Sequence, residues 1–459
     1  MGIPSYFSYI IRNYANIIRK REQYGKLDNF MLDSNSIIYD AYYEIIRENA
    51  SINVELLEKV LIKRVIEKIE ALIEYIKPEK RVMITFDGVA PMAKMQQQKK
   101  RRNKTRFMAQ FEPPKQWDTT QITPGTPFMK KFSKAIYAHF DKYIKRHLNG
   151  ESTIEYIVSC SDERGEGEHK IMRRMRQGDM LEDSVVIYGK DSDLIMLSIC
   201  NHTHAKEVYV CREKDKREKD KDKDDEMLFV DIETLVKAIK KETKADPDDY
   251  MLICIFFGND FMPPFAALNL RTNGYQILMD SYKKVVGDKK LMENNNINWK
   301  LLEKLFQEMG KHEQQYLIED HKIRLKMASQ LRHKKYATIQ DRINDVPLHN
   351  MEVEKYIDYK SEGWQQRYRK VLNVCTVQDY IEGIEWVKNY YKELEEMEKC
   401  KIEVSPLLSE MYSSVLREKE KEKELSEKEQ LSYIMPAVVV KEKYDWTQKR
   451  YFWEAIEKE

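Results

Sequence analysis

The chain has no apolar run approaching the roughly 20 residues that a membrane span needs. It is poor in cysteine: six residues (160, 200, 211, 254, 375 and 400) lie scattered through 459, with no CxxC pair. With no secretory leader either, a disulfide framework is excluded and reduced thiols in an intracellular compartment are expected. The start, MGIPSY, puts Tyr6 where a myristoylation signal needs Ser or Thr. Lys170 stands where a dinucleotide fingerprint would need its third glycine after Gly165 and Gly167. There is no internal repeat and almost no net charge, with 79 basic residues against 77 acidic ones. That balance speaks neither for nor against nucleic acid, because a local stripe is hidden in the average. These absences leave a soluble intracellular protein with room for two or three cores.

Charge and periodicity are what is present. Charged residues make up 34% of the chain, above the usual quarter. Up to about residue 285, short apolar runs alternate with amphipathic stretches, the pattern of an α/β domain. NFMLD (29–33), RVMITFD (81–87), IEYIVS (154–159) and SVVIYG (184–189) read as buried strands, and 54–76 reads as a long amphipathic helix. The mixed-charge segment 212–226 cannot bury a core and reads as a solvated hairpin tip between EVYVC and EMLFV. DPDDYMLICIFFGND (246–260) reads as a buried helix: Asp246 can cap it, Pro247 suits its first turn and Gly258 its exit. Further on, the texture is helical and rich in Lys, Glu and Tyr, with 396–403 and 417–430 as charged helices or linkers.

RGEGEHKIMRRMR (164–176) sets Glu166 and Glu168 either side of one glycine. Like charges that close raise the free energy unless something positive lies between them. Residues i and i+2 share no helix face, so the pair converges only on extended or turning backbone. Alone, the stretch reads more simply as a solvated loop. Its partners change that. Asp33 ends the first strand and Asp87 the second; Glu166 and Glu168 follow the third; Asp191 and Asp193 follow the fourth; Asp260 lies just past a helix exit. The C-terminal strand ends of a mainly parallel sheet open on one side, where α/β folds bind ligands. One strand-end Asp can simply cap the next helix, but acids from five element ends together point to one cavity. Such a cluster requires cations. Magnesium or manganese, commonly as two ions flanking a phosphodiester, meets the requirement with hard oxygen ligands.

A second constellation follows Asp87. Lys94, Gln98, Arg101 and Arg102 fall at i, i+4, i+7 and i+8, one face of a helix. A lysine, an amide and two guanidinium forks suit a terminal phosphate. By itself KKRR is more simply a solvated face or a nuclear-localisation patch; beside a metal cluster the phosphate reading is preferred.

MGIPSYF, DGVAPMAKMQQQKKRR, GEGEHKIM, YGKDSDLIML and FFGNDFMPP resemble the signature blocks of the Xrn family of 5′-to-3′ exoribonucleases. The resemblance continues through 363–374, 380–391 and 425–436. It implies an α/β, PIN-like nuclease domain over 1–285, with a mainly parallel central sheet flanked by helices, packed against a mainly helical second conserved region over 286–459. It also implies a magnesium site of Asp33, Asp87, Glu166, Glu168, Asp191, Asp193 and Asp260, and a 5′-phosphate pocket of Lys94, Gln98, Arg101 and Arg102. The implied activity is stepwise removal of nucleotides from single-stranded RNA bearing a 5′ monophosphate, by a monomer in the cytoplasm or nucleus.

Three departures stand out. The family's DMNGIIH block reads DSNSIIY, so Tyr39 replaces the histidine that stacks on a terminal base. A tyrosine can still stack. The Trp/Tyr-rich block expected after Tyr391 is replaced by KELEEMEKCKIE, which bears on processivity. The chain also stops soon after KRYFWEAI, and its length and composition are nearer to short, divergent members of protist or large-DNA-virus type. A flap endonuclease shares the strand-end acids, but no glycine-paired helix-hairpin-helix segment is present; an inactive RNA-binding scaffold would carry an unused cluster as a penalty. Of the smaller signals, NHTH (201–204) reads as a surface turn, Trp364 and Trp386 as core, and His169 as either helix-start packing or a phosphate contact.

Overall fold

The computed structural model describes residues 2–49, 52–110, 117–214, 227–331, 333–336, 342, 351–372, 374–392 and 406–411. They form two compact units. One comprises Asn13–Val236; the other comprises the described residues up to Arg12 and those from Lys237 onward.

The first unit is built on a seven-stranded sheet. Its strands are β1 (Ile18–Arg19), β2 (Leu27–Asp33), β3 (Pro78–Thr85), β4 (Glu155–Ser159), β5 (Ser184–Tyr188), β6 (Glu207–Glu213) and β7 (Met227–Asp231), in the spatial order β1-β7-β6-β5-β2-β3-β4. The run β6-β5-β2-β3-β4 is parallel throughout; β7 and β1 add antiparallel at the β6 edge. β6 and β7 form the expected hairpin, with Glu213 opposite Met227; its tip, 215–226, lies outside the described residues. In β2, Phe30, Met31 and Leu32 are all fully buried, as a central strand covered on both faces must be. The chain places β3 on one side of β2 and later β5 on the other, so the topological switch point falls at the end of β2.

The helices of this unit are α2 (Asn35–Glu48), α3 (Val54–Ile76), α4 (Met92–Ala109), α5 (Pro127–Leu148), α6 (Gly167–Met175) and α7 (Asp193–Asn201); α1 (Tyr6–Asn13) precedes them in the chain and, but for Asn13, belongs to the other unit. α3 keeps the bounds its periodicity predicts. Leu57, Leu61, Val65, Ile69 and Ile76 make its buried stripe, Asn53 accepts from Leu56 N at 2.8 Å as the N-cap, and Lys77 leaves in the left-handed region. Burying each such side chain contributes about 1.5–3 kcal/mol. In α5, Thr126 caps the start ahead of Pro127, and Phe128, Phe132, Ile136 and Phe140 enter the same core as α3 and β2.

The second unit is mainly helical: α8 (Ile232–Thr243), within which the division falls, α9 (Pro247–Cys254), α10 (Gly274–Val285), α11 (Trp299–Gly310) and α12 (Glu313–Leu331), then helices Glu352–Ile357, Trp364–Val371 and Val377–Lys392. Residues 246–260 are helical in their first part, as expected: Pro247 opens α9, one 3-10 turn follows, and Gly258 exits at φ +81°. Asp246 occupies the cap position but its carboxylate goes instead to Lys240 and Lys290. Asp249 is the internal brace, accepting from Tyr282 Oη at 2.6 Å and from the N–H groups of Leu291 and Met292 at 2.8 Å. Trp364 and Trp386 are buried. The segments 396–403 and 417–430, and most of the stretch after Tyr391, lie outside the described residues. No described helix is long and apolar enough to cross a membrane.

Candidate active site

Four adjacent parallel strands, β5, β2, β3 and β4, bring their C-terminal ends to one edge of the sheet. Asp33 is the last residue of β2, at the switch point. β3 ends at Thr85; Phe86 N then donates to the Ser159 carbonyl at 2.9 Å, and Asp87 follows. Beyond β4 the chain turns back to Glu166, the N-cap of α6, with Glu168 in its first turn. Asp191 follows β5 and Asp193 opens α7. The close pairing of the loops after β3 and β4 depends on Gly88, where a Cβ would stand only 1.7 Å from the Glu163 carbonyl oxygen. Gly167 is equally constrained: a Cβ there would lie 2.5 Å from Asp33 Oδ1 and 2.9 Å from Thr85 Oγ1.

The acids lie in one another's fields. Burial, and then the charges of Asp87, Asp191 and Glu166, hold the Asp33 carboxyl well above the usual range. Asp87 is raised by burial and by Glu166, against the opposing N–H of Gly167, which donates to its Oδ1 at 2.8 Å, and the charge of Lys94. Glu168 is raised well above its ordinary value by burial, with Asp193, Glu166 and Asp33 adding to the shift and Lys94 opposing it. Asp33, Asp87, Glu166, Glu168, Asp191 and Asp193 are thus brought together. Asp260, buried, belongs to the other unit, just after the Gly258 turn, where Asn259 Oδ1 accepts from the N–H groups of Phe261 and Met262 at 2.9 Å.

Such a set has the chemistry of a hard-cation site. Asp33 Oδ1 is buried without a hydrogen-bond donor among the described residues, an unfavourable state that a cation relieves. Ligand atoms of Glu166, Glu168 and His169 all lie within 4.8 Å of one another. All but one of these donors are carboxylates, which suit magnesium or manganese. His169 is buried at the helix start, beside these carboxylates.

The basic stripe lies on α4 and begins inside the cluster. Lys94 Nζ is 3.1 Å from Glu166 Oε1, both side chains at least nine-tenths buried. Gln98 is buried, Arg101 exposed and Arg102 half-buried. Burial, with the like charge of Arg101, pushes the Arg102 guanidinium down to about 10, while Tyr39 and Asp87 oppose the shift. Tyr39 packs partly against the core from α2; burial raises its phenol, and the charges of Arg101 and Arg102 oppose that. Its hydroxyl therefore lies in the field of the two guanidinium groups. NHTH forms a 3-10 turn, with His202 Nδ1 2.7 Å from the Ile199 carbonyl.

Three supporting residues escape sequence reasoning. Asn35 clasps Asp87: its Nδ2 donates to Oδ2, and its Oδ1 accepts from Asp87 N at 3.2 Å. Thr85 Oγ1 lies 2.7 Å from the Leu32 carbonyl and 3.1 Å from that of Gly167, tying β3 to β2 and α6. Lys170 is buried, and its Nζ donates to the carbonyls of Phe86 at 2.9 Å and Cys160 at 2.8 Å. The signals for Asn35 are its place two residues after Asp33 and its match to the Asn of the DMNGIIH block; Lys170, four after Glu166, looks like half of a surface ion pair.

Two family descriptions match the chain: XRN 5′-3′ exonuclease N-terminus over residues 1–214 and Xrn1 helical domain over 240–366. A 5′-3′ exoribonuclease 2 from Eremothecium gossypii is 28% identical over 394 residues, covering 68% of this chain and 41% of that protein. A 5′-3′ exoribonuclease 1 from Saccharomyces cerevisiae is 30% identical over 342 residues, covering 66% of this chain and 22% of that protein. The chain thus spans less than half the length of these relatives. The solved catalytic core of Rad2 in complex with DNA substrate matches 62% of this chain and 69% of its own at 14% identity, with a TM-score of 0.33 that is too low to add weight.

Proposed function

The chain belongs to the Xrn family of 5′-3′ exonucleases, and on that premise we propose that it removes nucleotides stepwise from the 5′ end of RNA. The observation that carries the reading is the set of six carboxylates at the C-terminal edge of the sheet, of which Glu166, Glu168 and Asp193 are buried, with Lys94 of the basic stripe paired to one of them. Asp33, Asp87, Glu166, Glu168, Asp191 and Asp193 hold magnesium or manganese, as two ions, and Asp260 is assigned to the same set from the family resemblance. Ions bound there supply Lewis-acid charge beside the scissile phosphodiester.

The protein's own groups do the positioning. Arg101 and Arg102 fork onto a 5′ monophosphate, with Lys94 and Gln98 completing the pocket. Holding the terminal phosphate beside the acids fixes which bond is presented for cleavage, and hence the direction of degradation. Tyr39 supplies a ring for the terminal base to stack on, and its hydroxyl, at the same end. Asn35, Thr85 and Lys170 fix the backbone on which Asp33, Asp87 and α6 stand. The substrate is single-stranded RNA with a 5′ monophosphate, and the protein acts as a cytoplasmic monomer whose nuclease region is 1–285 and helical region 286–459.

The test uses magnesium and three substrates: 5′-monophosphate RNA, the same RNA with a 5′ triphosphate, and a flapped DNA. The expected result is conversion of the monophosphate RNA to mononucleotides while the triphosphate RNA persists. Binding without cleavage, or cutting of flapped DNA alone, overturns the reading.

A further inference from the structure

The unit that carries α9 to α12 contains a cavity of about 410 Å³, within the range of small-molecule sites. One face of α12 lines it, since Leu317, Asp320, His321 and Arg324 recur at i, i+3, i+4 and i+7. The turn bearing Asn269 and Arg271 also lines it, as do the aromatic rings of Phe257, Phe265 and Tyr359.

Its polar groups are fixed in place and of both kinds. Thr272 Oγ1 donates to Asp320 Oδ1 at 2.9 Å, and the Asn269 side chain donates to the same carboxylate. Asn269 Oδ1 in turn accepts from Arg271 N at 3.0 Å. Next to Asp320, His321 Nδ1 is buried without a hydrogen-bond partner among the described residues. The His321 and Tyr359 ring centroids are 6.4 Å apart. A buried ring nitrogen in that state is a standing penalty that a ligand can remove. Arg324 is paired with Glu354, whereas Arg271 is exposed, its Nε resting on Ser5 Oγ at 2.7 Å. The outer N–H groups of such a guanidinium can fork onto a phosphate.

An apolar ligand would leave His321 Nδ1 unmet, and a bare anion would face the Asp320 carboxylate. A flat heteroaromatic body with donors and acceptors on its edge and a phosphate at one end meets every group. We propose that this cavity binds a 5′-mononucleotide, with the base against Tyr359 and Phe265, its edge on Asp320 and His321, and its phosphate on Arg271. The inference rests on the proposed function only in choosing a mononucleotide, the product that activity releases, over other aromatic anions.

Equilibrium dialysis of the full chain against radiolabelled AMP tests it, in EDTA so that no divalent ion takes part. AMP is expected to bind saturably, and about tenfold or more weakly to Arg271→Ala and His321→Phe. Because AMP also carries the 5′ monophosphate that Arg101 is proposed to hold, the titration is repeated in Arg101→Ala, where saturable binding should persist, and inorganic phosphate should compete poorly for it. No saturable binding, loss in Arg101→Ala but not in Arg271→Ala, or competition by phosphate equal to that by AMP overturns the proposal. Should His321→Phe fail to fold, the exposed Arg271→Ala decides alone. RNA degradation measured separately keeps the two readings apart: an active nuclease that binds no AMP in EDTA sinks only this one, and a chain that binds AMP here without degrading RNA sinks only the other.

Discussion

The Lys170 ammonium donates to the carbonyl of Phe86 at 2.9 Å, one residue before Asp87, and to that of Cys160 at 2.8 Å. A single buried side chain on α6 thereby links three acid-bearing segments. Burial depresses its pKa, with nearby acids led by Glu163 opposing, so the clamp is made at an electrostatic cost. In Lys170→Met the Phe86 carbonyl is left without its donor, at about 1–3 kcal/mol, whereas that of Cys160 still accepts from Glu163 N at 3.2 Å; the cost is partly offset because the ammonium is no longer buried. The expected outcome is a lowered Tm, cleavage slowed by about tenfold or more, and a higher magnesium concentration for half-maximal rate. A magnesium titration checks it; an unchanged midpoint would contradict the clamp.

Gly167→Ala probes the same geometry from the other side. The new methyl meets Asp33 Oδ1 at 2.5 Å and Thr85 Oγ1 at 2.9 Å, so the carboxylate must move. Activity should fall at least about tenfold while the helix persists, because alanine suits a first-turn position. Circular dichroism alongside the cleavage assay separates the two effects. Full activity would mean that the Asp33 position is not critical.

The raised carboxyls set a pH dependence. The folded-state pKa values of Asp33 and Glu168 lie above their unfolded values, so between the two the folded protein holds more protons than the unfolded chain. Stability then falls as pH rises through that window, and the penalty is absent below the unfolded values near 4. Without divalent ions, Tm should decline from about pH 5 to 8, and less steeply in Asp33→Asn. Saturating magnesium should raise Tm more at the upper end than at the lower. Thermal scans across that range, with and without magnesium, provide the measurement; equal magnesium shifts at both ends would count against the site.

Much of this was legible in the residues. Strand β2 announces itself by consecutive apolar residues, α3 by its 3.6-residue period, and the strand-end acids by recurring where apolar runs stop. The α9 segment could be read because Pro247 and Gly258 mark its ends independently of its uniform hydrophobicity. Sheet order is different: nothing local to β5 says that it lies beside β2, and the switch point emerges only from long-range pairing. Lys170 and Asn35 were illegible for a related reason, since their partners are a backbone carbonyl 84 positions away and an acid 52 positions away. The cap at Asp246 shows the reverse failure, a locally sound motif overridden by two lysines.

Tyr39 offers a choice that mutation can decide. Its hydroxyl lies in the field of Arg101 and Arg102, and its ring packs partly against the core. Tyr39→Phe should keep RNA affinity within about threefold, whereas Tyr39→Ala should weaken it by roughly 1–3 kcal/mol if the ring stacks on a base. Arg101→Ala should erase the preference for a 5′ monophosphate over a triphosphate while leaving the metal requirement intact. Cleavage rates on the paired substrates check both. An unchanged ratio in Arg101→Ala would remove the stripe from phosphate recognition.

The claim that the strand-end acids form one cation site driving RNA cleavage is tested most directly by manganese binding, read from the loss of the free-ion electron paramagnetic resonance signal in the absence of RNA. The expected result is saturable binding that weakens about tenfold or more in both Asp33→Asn and Asp193→Asn. Asp33 ends β2 and Asp193 opens α7 after β5, and each variant should retain RNA but fail to shorten it. If Asp193→Asn binds manganese as the unchanged protein does and degrades RNA at the same rate, the site is not where these acids meet.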